Sequence, residues 1–152
     1  MDDYWVDFAS DEDTDDDYLY WNHFVHFEQL NQYDARTDLV AADQPRSAWN
    51  DGTDVVWFAT GDLPLDILGD EVCRAVHLVT LKCDRARVRF NEAWTRLIPD
   101  NAGFFVACHE FGHAYGFEHN NDACMITGED PWSDPISGTL SSHMIDHINA
   151  QY

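Results

Sequence analysis

"CHEFGHAYGFEHNNDACMITGE" runs from Cys108 to Glu129 and decides how the rest of the chain is read. The preceding "AGFFVA" together with "CHEFGHAYG" carries the apolar pattern of a helix. Pro99 stands just before it, Asp100 or Asn101 is the expected cap, and Gly116 is the expected end. His109 and His113 lie four residues apart, so on a helix they share one face and can direct ring nitrogens at a single cation. Glu110 is one step round from His109, within reach of a water on that cation. His119 is six residues beyond His113. On a continued helix it would sit about 9 Å further along the axis and face elsewhere. It joins the other two only if the chain turns back, and Gly116 is placed to permit that turn, because glycine adopts left-handed backbone angles without a steric penalty. Three neutral imidazoles are the donor set of a catalytic zinc site, which keeps one position for water.

The wider sequence is compatible with a folded enzyme. The chain has 152 residues, 45% of them hydrophobic, with 6 Trp, 9 Phe and 6 Tyr, enough for one domain with its own core. Its 29 acidic residues against 8 basic ones give a formal net charge of -21. Such a field repels nucleic acid and anionic membranes and favours metal cations and basic peptides; the chain itself is expected to be a monomer. No apolar run is long enough to span a bilayer. The start, "MDDYWVDFASDEDTDDDY", lacks the basic and apolar regions of a signal peptide, whereas four cysteines, Cys73, Cys83, Cys108 and Cys124, an even count in two spaced pairs, suit two disulfides and an oxidising, extracellular setting.

Residues 1–17 are read as a disordered acidic tail and residues 18–152 as a single catalytic domain. In the tail, Asp11, Asp13 and Asp15 have the spacing that opens a calcium loop. Asp16 stands where that loop needs glycine and Asn22 where it needs glutamate, so calcium is unsupported. Beyond the tail, "YWNHFVHFEQL" (Tyr20–Leu30) reads as a strand. Asp34–Trp49 has roughly helical apolar spacing interrupted by Pro45. "TDVVWFAT" (Thr53–Thr60) is a buried strand, Gly61–Asp70 a loop, and Ala75–Leu81 and Ala86–Trp94 two more strands. The last of these alternates Val88 and Phe90 inward with Arg87 and Arg89 outward. A bridge between Cys73 and Cys83 would tie the ends of the Ala75–Leu81 unit. Gly128–Gly138 is a loop. "SSHMIDHINAQY" is a final helix capped by Ser141 or Ser142, with Met144, Ile145 and Ile148 inward. His143 and His147 on it lack a matching glutamate and read as surface or packing residues, as do His23, His26 and His77.

"HEFGHAYGFEH" resembles the H-E-x-x-H-x-x-G-x-x-H signature of the metzincin metalloproteases, and Met125 in "ACMIT" resembles the methionine that follows the third histidine in that family as an apolar floor under the ligands. The short interval between His119 and Met125 is matrixin-like. "VRFN" before the helix and a cysteine before each of the two motifs resemble small secreted actinobacterial proteases. The resemblance implies a zincin/metzincin-like α+β fold. Its mixed, mostly parallel twisted sheet would have about four to five strands, with an active-site helix, a C-terminal helix and a cleft between a larger N-terminal and a smaller C-terminal part. It implies Zn2+ held by His109, His113 and His119, Glu110 as general base of a zinc endopeptidase, and a strand at Ala86–Phe90 that holds substrate in extended form. It also implies a Cys108–Cys124 bridge that closes a loop of about 15 residues, contributing roughly 3 kcal/mol in the chain-entropy account. Asp122 reads either as a support for the loop or an imidazole, or as a plain turn residue. Three alternatives stay open: an inactive zinc-binding module, a latent enzyme whose acidic tail fills the cleft, and a zinc hydrolase of a non-peptide amide.

Overall fold

A computed structural model describes residues 20, 21, 23–25, 39–41, 55–76, 78, 79, 83–127 and 138–151. The acidic run with Asp11, Asp13 and Asp15 lies outside the described residues, as do His26, His77 and most of Gly128–Gly138. Strands β1 (Leu39–Ala41), β2 (Val55–Thr60), β3 (Gly69–Val76) and β4 (Cys83–Asn91) precede helix α1 (Asp100–Ala114) and helix α2 (Ser142–Gln151). The strands form one mixed sheet in the order β1-β2-β4-β3. β1 and β2 are parallel, as are β2 and β4, and only β3 runs antiparallel, paired with β4. The architecture is thus α+β.

The sheet and α1 enclose the core. On β4, Ala86, Val88 and Phe90 are buried while Arg87 and Arg89 stay partly exposed, the period-2 alternation expected there. β2 adds Val55 and Trp57, both 1% exposed or less. Its Trp57 is in register with Val88 and meets the Phe90 ring edge-on, while Trp21 stacks on Phe90 at 4.7 Å. α1 is buried on most sides, through Ala102, Phe105, Val106, Ala107, Phe111 and Ala114 among others, as befits a helix inside the domain. Its first residue is Asp100, flanked by Pro99 rather than capped by a side chain. Pro99 supplies the carbonyl for the Ala102 and Gly103 amides. α2 turns Met144 and Ile148 inward, with Ile145 at the margin. Its cap is Ser141, whose Oγ accepts the Met144 amide at 3.3 Å.

Besides the expected Asp100 or Asn101 cap of α1, which the structure replaces by Pro99, four further sequence expectations are overturned. Residues 20, 21 and 23–25 are helical, not extended. The buried set is Trp21, Phe24 and Val25, and that i, i+3, i+4 spacing outweighs the aromatic content that suggested a strand. Leu39–Ala41, inside the stretch with helical spacing, is strand β1, because pairing with β2 offers this short apolar run its backbone partners. The third change is at β3, which occupies Gly69–Val76, beginning inside the expected loop Gly61–Asp70 and ending before the expected strand Ala75–Leu81 is complete. Leu78 and Val79, whose β-propensity suggested that strand, are 91% and 86% exposed on a turn. Finally, β4 lies between β2 and β3, so Ala86–Phe90 is not an edge and β3 is.

The Cys73–Cys83 disulfide links β3 to β4 across ten residues. Asn91, wholly buried at the end of β4, ties down the segment before β3. Its Nδ2 donates to the carbonyls of Pro64 at 2.9 Å and Ile67 at 2.7 Å, its backbone N–H donates to the Leu68 carbonyl, and its Oδ1 accepts from the Ala93 amide.

Candidate metal centre

α1 presents His109 and His113 one turn apart, and then stops. Tyr115 ends the helix and Gly116 follows at φ +92. The Gly116 amide donates to the His113 carbonyl at 2.8 Å and the Phe117 amide to the Gly112 carbonyl at 3.0 Å. These are the two hydrogen bonds of a Schellman stop, which needs a left-handed residue where Gly116 stands. The reversed chain then returns His119 to the other two imidazoles.

The three Nε2 atoms form a nearly equilateral triangle. His109 to His113 is 3.2 Å, and His119 is 3.1 Å from each of them. The Nδ1 atoms are engaged elsewhere: that of His109 meets the Cys124 carbonyl at 2.6 Å, and that of His113 the Phe117 carbonyl at 2.8 Å. A carbonyl only accepts, so each Nδ1 carries the proton and each neutral ring turns an Nε2 lone pair toward the centre of the triangle. Two lone pairs 3.2 Å apart repel unless a cation lies between them. Imidazoles around a tetrahedral ion at about 2.0–2.1 Å have nitrogens roughly 3.3 Å apart, close to the spacing here. His109, His113 and His119 are therefore a group that could hold a metal ion.

The electrostatics favour neutral ligands. Burial pulls the His109 imidazole down to about 4, against a smaller opposing effect of its bond to Cys124. Burial likewise lowers His113. Glu110, 7% exposed on the same helix, is pushed up to about 8 by burial first and then by the charges of Asp70 and Glu71. Both of those acids are on β3, the outer strand of the sheet among the described residues, so β3 borders this carboxyl. Gly69 of β3 lies so close that a methyl group there would come within 3.0 Å of the Glu110 Cγ. Asp70 is itself ion-paired with Arg89 of β4.

Met125 is wholly buried beneath this helix, within the short 3-10 turn Ala123–Met125. A methyl group on Gly112 would fall 2.3 Å from its Sδ, so the glycine between the two helical histidines gives Met125 its space. The Cys108–Cys124 disulfide joins α1 to the same turn. Neither sulfur is available as a ligand. The hydrogen bonds of Asp122 run to the turn and to α2 and not to an imidazole among the described residues. Its carboxylate accepts from Ser141 Oγ at 2.6 Å and its carbonyl from the Met125 amide at 3.0 Å, coupling the turn to the start of α2. His143 and His147 are exposed, and the His147 ring lies 5.3 Å from that of Phe117. His23 is exposed and rests on the Phe24 and Phe104 rings. Sequence reasoning missed Gly69, Gly112 and the carbonyls of Phe117 and Cys124. The tight contact at Gly112 had a signal, a glycine inside a helix that would be more stable with alanine. The carbonyls had none.

No family model matches the chain, and no solved structure matches it. It is similar to matrix metalloproteinase-27 of Tupaia belangeri, with 42% identity over 66 residues, which is 41% of this chain and 12% of that protein. The chain therefore spans about an eighth of that relative's length. The likeness supports a metalloproteinase relationship for this portion of the chain.

Proposed function

We propose that this chain is a zinc-dependent endopeptidase of metzincin type, with His109, His113 and His119 as zinc ligands and Glu110 as general base. One observation carries the reading: three Nε2 atoms converge within 3.2 Å, those of His109 and His113 with their lone pairs inward, next to a buried carboxyl on α1. Three imidazoles suit zinc far better than calcium or magnesium, which take oxygen donors. Zinc, when bound, supplies Lewis acidity toward water and a carbonyl oxygen. The chain's own residues do the rest. Glu110, with a proton affinity raised toward neutrality, takes the proton of the attacking water and delivers it to the departing amine. β3 has no strand on its outer side among the described residues, and an extended peptide can add there by main-chain hydrogen bonds. The partial likeness to a matrix metalloproteinase supports the same assignment, and two disulfides support an extracellular location.

The test is cleavage of an unfolded protein by the zinc-loaded chain beside its Glu110→Gln form, with bound zinc measured in both. The expected result is one zinc per chain in each, and a loss of roughly 100-fold or more in cleavage for the variant. Zinc bound without cleavage by the parent would replace this reading with that of a zinc-binding module. Equal cleavage by both forms would remove Glu110 from the chemistry.

A further inference from the structure

Cys124 sits at the meeting point of two constraints on one metal ligand. Its carbonyl takes the Nδ1–H of His109 at 2.6 Å. Its sulfur is bonded to Cys108, the residue directly before His109 on α1. The two links close a small ring: from the His109 imidazole through the Cys124 carbonyl, across the disulfide, and back along one peptide unit to His109. Both cysteines are wholly buried. The turn that carries Cys124 is not one the chain favours by itself, since Ala123 is held at φ +46, a left-handed conformation disfavoured for residues with a Cβ. Two backbone–backbone hydrogen bonds hold this turn among the described residues: Met125 amide to Asp122 carbonyl, and Asn120 amide to Met125 carbonyl. The first sets the plane of the Cys124–Met125 peptide, and with it the Cys124 carbonyl, relative to Asp122. Neither reaches α1, and the disulfide is the covalent link between the turn and that helix.

We infer that the Cys108–Cys124 disulfide positions a metal ligand: it holds the Cys124 carbonyl where it orients the His109 ring, and so raises metal affinity rather than only stabilising the fold. The inference rests on the metal-site reading above. His113 provides an internal contrast, because its Nδ1 is held by the Phe117 carbonyl, which belongs to the Schellman stop and owes nothing to either disulfide. The other bridge, Cys73–Cys83, joins two strands at a hairpin whose Cys73 is exposed, and is a control of the same covalent kind. Groups that orient metal-bound imidazoles typically contribute about 10–100-fold to affinity.

The experiment compares zinc affinity, by competition with a chromophoric chelator, for the parent, for Cys108→Ala/Cys124→Ala and for Cys73→Ala/Cys83→Ala. Proton NMR follows the His109 and His113 Nδ1–H signals in the zinc-bound forms. The expected result is a loss of about 10–100-fold for the first variant and less than about 3-fold for the second. The His109 signal should broaden or exchange faster in the first variant while that of His113 is kept. If the alanine pair does not fold, Cys108→Val/Cys124→Ala refills the buried volume and is scored in the same way. Parent-like affinity in a folded variant lacking the bridge would overturn the inference and leave the metal site standing, and so would equal loss in both disulfide variants or equal broadening of both imidazole signals. A parent chain that binds no zinc would overturn the metal-site reading itself, and this inference with it.

Discussion

Replacing Glu110 by glutamine should make the metal-free protein more stable, and increasingly so as pH rises. Burial is the main reason the Glu110 carboxyl is pushed up to about 8, with Asp70 and Glu71 adding to it. In the unfolded chain it titrates near 4.5. Between these two values the folded state holds a proton that the unfolded state has released. Stability conferred by the protonated form is complete below about 4.5 and is lost as pH rises through about 8. The slope is about 1.4 kcal/mol per pH unit, so from pH 5 to pH 7 the parent should lose about 2–3 kcal/mol relative to Glu110→Gln, which has no proton to release. His109 and His113 act in the opposite direction, because their pKa values are lowered. Their contribution rises with pH up to the ordinary histidine range, and it cancels when parent and variant are compared at each pH. The assay is urea unfolding at pH 5, 6, 7 and 8 with a chelator present and both disulfides intact. Parallel stability curves for the two proteins would refute the argument, since they would mean Glu110 ionises in the folded chain as easily as in water. On the proposed reading the same substitution also lowers peptide cleavage by roughly 100-fold or more, and a side chain that costs stability while supplying chemistry is what a buried general base would entail.

Two further substitutions probe the frame around the site. Gly112→Ala should lose up to about 2 kcal/mol in urea unfolding although alanine is the better helix former: a methyl group pressed against the Met125 Sδ costs about 1–3 kcal/mol in overpacking against about 1 kcal/mol gained in propensity. A stability above the parent's would show that Met125 can swing aside. Asn91→Ala should cost about 2–4 kcal/mol, because the carbonyls of Pro64 and Ile67 lose their shared donor inside the protein. A change below about 0.5 kcal/mol would mean that water replaces the amide.

What the sequence made legible follows from where the information resides. β4 and α1 were readable because burial on each follows the local period, with Val88 and Phe90 inward on the strand and two histidines one turn apart on the helix. β1 and β3 were not, since their conformation comes from pairing. Leu39–Ala41 is a strand because β2 lies beside it. β3 has largely intermediate and exposed residues with no apolar alternation, so its only mark is its register with β4. The edge was misplaced for the same reason: the order of strands is a property of the sheet, and the pattern on β4 is equally consistent with an edge or a central position.

The site divides along a similar line. Side chains name the candidates, and His109, His113 and His119 as possible ligands with Glu110 beside them could be picked out by spacing alone. What turns three histidines into a converging set is backbone: the Gly112 and His113 carbonyls that accept the Schellman amides, and the Phe117 and Cys124 carbonyls that fix two tautomers. Every residue has a carbonyl, so no residue type announces this role. The sequence marks it only indirectly, through residues that constrain the backbone. Gly116 permits the turn that delivers the Phe117 carbonyl, and Cys124 is anchored to the helix by its sulfur. Glycines and cysteines flanking a histidine motif are therefore informative about the geometry of a candidate metal site even though they supply no donor to it, because they determine where the acceptors behind the imidazoles lie.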